Sequence, residues 1–170
     1  THSGKNIPSN GGILLFGKNR SDIFPDALIR CIKFLGTTKE EAEDDRVIDT
    51  YLPNAFFEIL DFIAKHTLTK TTFGAKKRIC TPQYPSKAVR EAVLNALVHA
   101  DYSIKGSSII VAIFDDRIEI TNPGAVTYGL SLKGALTGSS KCRNRVIARV
   151  FNLLELIEHW GTGLQKIILA

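Results

Sequence analysis

The sequence predicts an α+β protein, a two-layer sandwich in which a mixed or antiparallel sheet is covered by helices on one side. Three observations point there. Strands and helices follow one another without regular β-α alternation, which argues against a doubly wound sheet. A hairpin signal stands at 107–122, where "SIIVAIF" and "RIEIT" flank Asp115 and Asp116 and where Arg117, Glu119 and Thr121 alternate with Ile118 and Ile120. Two segments, 52–66 and 145–160, repeat apolar residues at helical spacing.

Each element follows from local chemistry. "THSGKNIPSNGG" is small, polar and Gly-rich, a frayed lead-in, and "ILLFG" reads as a buried strand ended by Gly17. "ALIRCIKFLG" reads as a second strand, ended by Gly36, and the acidic run "TTKEEAEDDR" as a solvated loop. "LPNAFFEILDFIAKH" places Phe56, Phe57, Leu60, Ile63 and Ala64 on one helical face. "TKTTFGAKKRICTPQYP" is β-branched and alternating, a strand that ends at two prolines, and Ser86 is a good N-cap for the helix that follows. "NPG" at 122–124 forces a turn, a Gly/Ser-rich loop follows, and "RVIARVFNLLELIEHW" closes as a helix before "GTG" and "LQKIILA". The regions 1–84 and 85–170 read as two parts of one α+β unit, the second carrying any pocket.

The composition bounds the function. Apolar residues make up 44% and charged residues 23% of the 170, ordinary for a globular protein that buries a core. No apolar run approaches the roughly 20 residues of a membrane helix and no signal peptide opens the chain, so a cytoplasmic setting is expected. Three widely spaced cysteines, Cys31, Cys80 and Cys142, without a C-x-x-C pattern indicate neither a disulfide framework nor a zinc site. A net charge of +5 suits a polyanionic partner without requiring one. The chain begins at Thr1 and has no methionine, which reads as a fragment of a longer protein.

The chemistry concentrates in "REAVLNALVHADY". At roughly 100° per residue, Glu91, Asn95 and His99 form a narrow line, with Val89, Ala92, Val93, Ala96 and Leu97 covering the opposite half. A narrow polar stripe bordered by apolar side chains suits a helix lining a wet cleft, where each polar group finds a partner. Plain exposed polar residues fit the same pattern.

Glu91 and Asn95 on a helix, then "ITNPG" after a strand, then a G-x-G ahead of a helix, together resemble the Bergerat-fold (GHKL) ATPases, the superfamily of gyrase B, the 90-kDa heat-shock chaperones and histidine kinases. The resemblance implies that Glu91 orients or deprotonates the attacking water and that Asn95 binds Mg²⁺. It also implies that Asn122 and Gly124 stand at the adenine site and that Gly161, Thr162 and Gly163 accept phosphate, with His99 completing the nucleotide-facing line. The residue types agree: an amide oxygen is a hard ligand suited to Mg²⁺, a carboxylate one turn earlier can hold a water, and glycine-rich helix starts present free N–H groups to anions. The Gly after "LIEHW" is equally the usual C-cap of the preceding helix.

The segments "ILLFGK", "FPDALIRCIKF", "YPSKAVREAVLNALVHADY", "IEITNPG", "GSSKCRN" and "LIEHWGTGLQKI", in that order, are similar to proteins labelled RecG-related helicases or transcriptional regulators. That family implies DNA contact through upstream Schlafen/AlbA-type and downstream winged-helix domains outside this chain, and a homo-oligomer. Asn122 stands where the superfamily has Asp, which removes the charge from adenine recognition. No stretch fits G-x-x-x-x-G-K-[ST], so a helicase motor is not expected.

The expected function is an ATP-binding, Mg²⁺-dependent regulatory module with at most slow hydrolysis, in which Lys141, Arg143, Asn144 and Arg145 act as lid residues that neutralise phosphates. The alternatives are a degenerate scaffold or dimerisation domain that binds no nucleotide, with His99 and Tyr102 as packing residues, and direct DNA binding through Lys141, Arg143, Arg145 and Arg149.

Overall fold

The computed structural model describes residues 7–18, 20–73, 78–125, 129, 134 and 141–157. Its elements are α1 (Asn10–Phe16), α2 (Arg20–Ile23), a 3-10 turn (Pro25–Ala27), β1 (Ile29–Phe34), β2 (Ala42–Ile48), α3 (Leu52–His66), β3 (Thr69–Phe73), β4 (Arg78–Pro82), α4 (Ser86–His99), β5 (Ile109–Ile113), β6 (Ile118–Thr121) and α5 (Arg145–Leu153).

Four strands form a mixed sheet in the order β2-β1-β5-β6. β1 pairs with β5 in parallel, Ile29 against Ile109, and both outer pairings are antiparallel. The predicted mixed sheet with helices is therefore present. The central position of the parallel pair also explains why β5 is wholly apolar and why β1 is buried except at Arg30: each lies between two neighbours in the sheet.

One sheet face supplies Ile29, Cys31, Ile48, Ile109, Val111 and Ile113 to a core shared with Phe56, Ile59 and Phe62 of α3 and Val93, Leu94 and Leu97 of α4. Each fully buried side chain of this kind contributes about 1.5–3 kcal/mol of transfer free energy. The other face carries a smaller cluster of Ile32, Phe34, Ala112 and Phe114, in which the Phe34 and Phe114 rings stack 5.2 Å apart. Lys33 is buried with its ammonium 2.5 Å from Asp115, and Asp115 also bonds both the N–H and the carbonyl of Gly36. These bonds tie the turn after β1 to the hairpin turn.

The hairpin at 109–121 and the helix at 52–66 stand where the sequence predicts, but the helix turns a different face to the core: Leu52, Ala55, Phe56, Ile59, Phe62 and Ile63 are buried, while Phe57 and Ala64 are exposed. Five further expectations are corrected. "ILLFG" is helical, because Ser9 Oγ caps Gly12 N–H at 3.2 Å and Leu14 and Leu15 enter the core. A short apolar run carries no period that separates helix from strand. α1 lies so close to α5 that a Cβ on Gly11 would fall 2.9 Å from Val146 Cβ. The acidic run is only half loop: from Ala42 it forms edge strand β2, its charges paired as Arg30 with Asp45, Arg46 with Glu58, and Asp44 with Lys65 and His66. Charged side chains of this kind are a usual protection of a sheet edge.

"TKTTFGAKKRICTPQYP" forms two strands rather than one, β3 pairing with β4 from Thr69–Pro82 to Phe73–Arg78. Ser86 is the first helical residue and not the cap: the preceding Pro85 carbonyl accepts from the Ala88 and Val89 N–H groups. The last helix ends at Leu153, where Glu155 takes a positive φ of 55° and Leu156 N–H bonds back to Phe151 O at 2.8 Å. The rest of "ELIEHW" beyond Ile157, and most of the Gly/Ser-rich loop, lie outside the described residues. Among the described residues no helix is long and apolar enough to cross a membrane.

Candidate functional site

The site is built on α4. Val93, Leu94, Ala96, Leu97 and Val98 are buried and fix the helix against the sheet and α3, leaving Glu91, Asn95 and His99 half-buried along one edge. At its first turns Arg90 donates to Leu156 O at 3.0 Å and lies over the Phe56 ring, 4.8 Å from its centroid. Asn95 Nδ2 donates to Glu91 Oε1 at 3.3 Å, which leaves the Asn95 amide oxygen as the group that can meet a hard cation. Burial, reinforced by the nearby Arg143 guanidinium, holds the His99 imidazole below its ordinary pKa, so the ring is neutral at pH 7.

The carboxyl end of α4 is tied down by other chains of bonds. Tyr102 Oη donates to Leu97 O at 2.7 Å, and Asn144 Nδ2 donates to Val98 O and Ala100 O at 2.9 and 2.7 Å. Burial pushes the Tyr102 phenol up, so it stays a neutral donor. Asp101 N–H donates to Pro123 O at 2.8 Å, and the Asp101 carboxylate accepts from Ser103 N–H and Oγ and from Arg143 Nη1. Ser103 and Arg143 hold that carboxyl below its usual range. Arg143 Nη2 reaches Ala125 O.

Gly124 sits in this cluster with φ of 99°, and a Cβ there would lie 2.8 Å from Asp101 Cβ and 3.2 Å from Arg143 Nη1. Its glycine is required by both backbone and space.

The predicted residues thus divide into groups. Glu91 and Asn95 are bonded to each other, and His99, Gly124 and Arg143 gather around the end of α4. Asn122 is half-buried in the turn, and Asn144 serves the helix carbonyls. Lys141 is exposed, its ammonium 3.6 Å from where a Cβ on Gly129 would stand. Gly161, Thr162 and Gly163 lie outside the described residues. A cleft of about 320 Å³ opens between the 3-10 turn and residues 102–105, but none of Glu91, Asn95 and His99 lines it. Among the described residues no group of three or more His, Cys, Asp or Glu is arranged around a metal position. Asp101 was not legible as part of the site: its local signal is only an Asx turn to Ser103, and its partner Arg143 is 42 residues away.

No curated protein matches the chain. Across 94% of its length the fold is similar to the crystal structure of the DIP2311 protein from Corynebacterium diphtheriae, with a TM-score of 0.77 and 20% identity, a likeness of fold. The chain spans 32% of that protein's length. A family match begins just after α4 and takes in β5, β6, the NPG turn and α5. Over residues 106–170 the chain matches the family described as "Putative ATP-dependent DNA helicase recG C-terminal", so this part of it is recG C-terminal-like.

Proposed function

We propose that the chain is a nucleotide-binding regulatory module with a Bergerat-type (GHKL) ATPase-like arrangement, belonging to a DNA-binding transcriptional regulator. The observation that carries the reading is the Glu91–Asn95 pair, bonded at 3.3 Å one turn apart on a half-buried helix edge, directly before a segment that matches a family named for ATP dependence. The donor set fits Mg²⁺-ATP. Mg²⁺ keeps several waters and takes phosphate oxygens, so it needs few protein ligands, and Asn95 Oδ1 offers one. Mg²⁺-ATP, if held there, would supply a polarised terminal phosphate; Glu91 would hold a water by its carboxylate, and Lys141 would add positive charge for the phosphates. His99, neutral, serves as a donor or acceptor and adds no charge. With Arg143 engaged by Asp101, hydrolysis is slow. DNA is contacted through segments beyond this chain, a second copy of the chain is the expected partner, and the cytoplasm is the expected setting.

Calorimetric titration with ATP, with and without Mg²⁺, tests the reading. The intact chain binds ATP only with Mg²⁺, and Asn95→Ala loses that binding while keeping the fold. Equal affinity of the two proteins for Mg²⁺-ATP would remove Asn95 from the site.

A second reading, a scaffold that binds no nucleotide, is favoured by one observation: Arg143 is engaged between Asp101 and Ala125 O beside Gly124, and Asn144 by the carbonyls that end α4. Absence of any heat of binding with ATP or ADP would select it.

A further inference from the structure

We infer that Asp101, Gly124, Arg143 and Asn144 form a latch that positions the Glu91–Asn95–His99 edge against the NPG turn, and that Arg143 and Asn144 act through α4 without touching a ligand. The inference rests on the nucleotide reading for what is positioned, and on bonds independent of that reading for the latch itself.

Three features support it. First, the Asn144 amide nitrogen and both terminal nitrogens of Arg143 are committed, although Arg143 Nε is buried without a partner among the described residues. Asn144 Nδ2 is shared between two carbonyls at the last turn of α4, groups that a helix end leaves without intrahelical partners. Arg143 divides its two terminal nitrogens between the Asp101 carboxylate, at 2.5 Å, and Ala125 O. Second, the latch is closed from three parts of the chain. Asp101 follows α4, Pro123 to Ala125 follow β6, and Arg143 and Asn144 precede α5, with Asp101 N–H to Pro123 O joining the first two directly. Third, a side chain at Gly124 would crowd the latch, since a Cβ there would lie 2.8 Å from Asp101 Cβ and 3.2 Å from Arg143 Nη1.

The geometry yields a sharp distinction. If Arg143 neutralised a phosphate, Asp101 would compete with the ligand, and Asp101→Asn would free the guanidinium and tighten nucleotide binding. If Arg143 is a positioning residue, Asp101→Asn, which takes the charge from the bond, and Arg143→Gln, which removes its donor, weaken binding alike, and the double variant is no worse than Arg143→Gln. Asn144→Ala behaves as they do.

The test has two arms on the intact chain. Without nucleotide, amide hydrogen exchange is measured at Asp101. Each of the three single variants is expected to speed it about tenfold, the effect of losing one hydrogen bond of ordinary net strength, with Arg143→Lys restoring part of the protection. Unchanged exchange at Asp101 overturns the latch whether or not any nucleotide binds. With Mg²⁺-ATP, affinity is measured for the same variants. Parallel weakening in Asp101→Asn and Arg143→Gln supports positioning, whereas loss in Arg143→Gln with retained or tighter binding in Asp101→Asn overturns it. If the unaltered chain binds no nucleotide, the proposed function fails and the exchange arm still decides the latch.

Discussion

His99 shows how one residue links burial to a measurable pH response. Its pKa lies below the ordinary 6.5 because burial and Arg143 both disfavour the imidazolium. The unfolded chain therefore binds more protons than the folded one as pH falls through about 6.5, and stability declines in that direction until the folded-state pKa is passed. Urea unfolding at a series of pH values should show this decline setting in as pH falls through about 6.5, and His99→Gln should flatten it. Below about pH 4 a second decline is expected, because Asp44, Asp45, Asp101, Asp115 and Glu119 all have lowered pKa values. Gly124→Ala adds a side chain at φ 99° and 2.8 Å from Asp101 Cβ, and should cost about 1–3 kcal/mol, read from the urea midpoint without nucleotide. Cys31 has no exposed surface and burial pushes its thiol up to about 12, so alkylation at pH 8 should spare it in the folded chain and modify it in urea.

At the scale of elements, the sequence was most informative where a period ran long enough. The helix at 52–66 repeats its apolar residues over four turns, and the hairpin at 109–121 alternates on one arm around two aspartates; both stand where the pattern puts them. "ILLFG" failed because four adjacent apolar residues satisfy helix and strand alike, and the Ser9 cap and the close approach of Gly11 to Val146 decided for the helix. The acidic run failed because its charges satisfy one another across long distances in sequence, Asp44 with His66 and Arg46 with Glu58, which no local pattern reveals. The Glu91–Asn95 spacing was legible because i, i+4 neighbours meet on any helix. The Asp101–Arg143 bond was not, since it depends on the return of the chain after the hairpin. Phe56, wholly buried in α3 beneath the Arg90 guanidinium, is the element-scale test of the core: Phe56→Ala should cost about 3–5 kcal/mol in urea unfolding, and a cost under about 1 kcal/mol would mean that α3 does not anchor α4.

For the whole molecule, a mixed sheet carries two long helices on one face, and the edge of the second helix holds a carboxylate, an amide and a neutral imidazole. Nothing in the core requires that polar line, since Val93, Leu94, Leu97 and Val98 already complete the packing of α4. The proposed ligand of that line is Mg²⁺-ATP, and the most direct measurement is a thermal unfolding titration with ATP, with and without Mg²⁺. A ligand at a hundred times its Kd stabilises the native state by about 2.7 kcal/mol, which for a chain of this length is a rise of roughly 5–10 °C in Tm. A saturable rise of that order, present only with Mg²⁺ and absent in Asn95→Ala, is the predicted result. An unchanged Tm at millimolar nucleotide would contradict the account and leave the Glu91–Asn95–His99 edge as part of a scaffold.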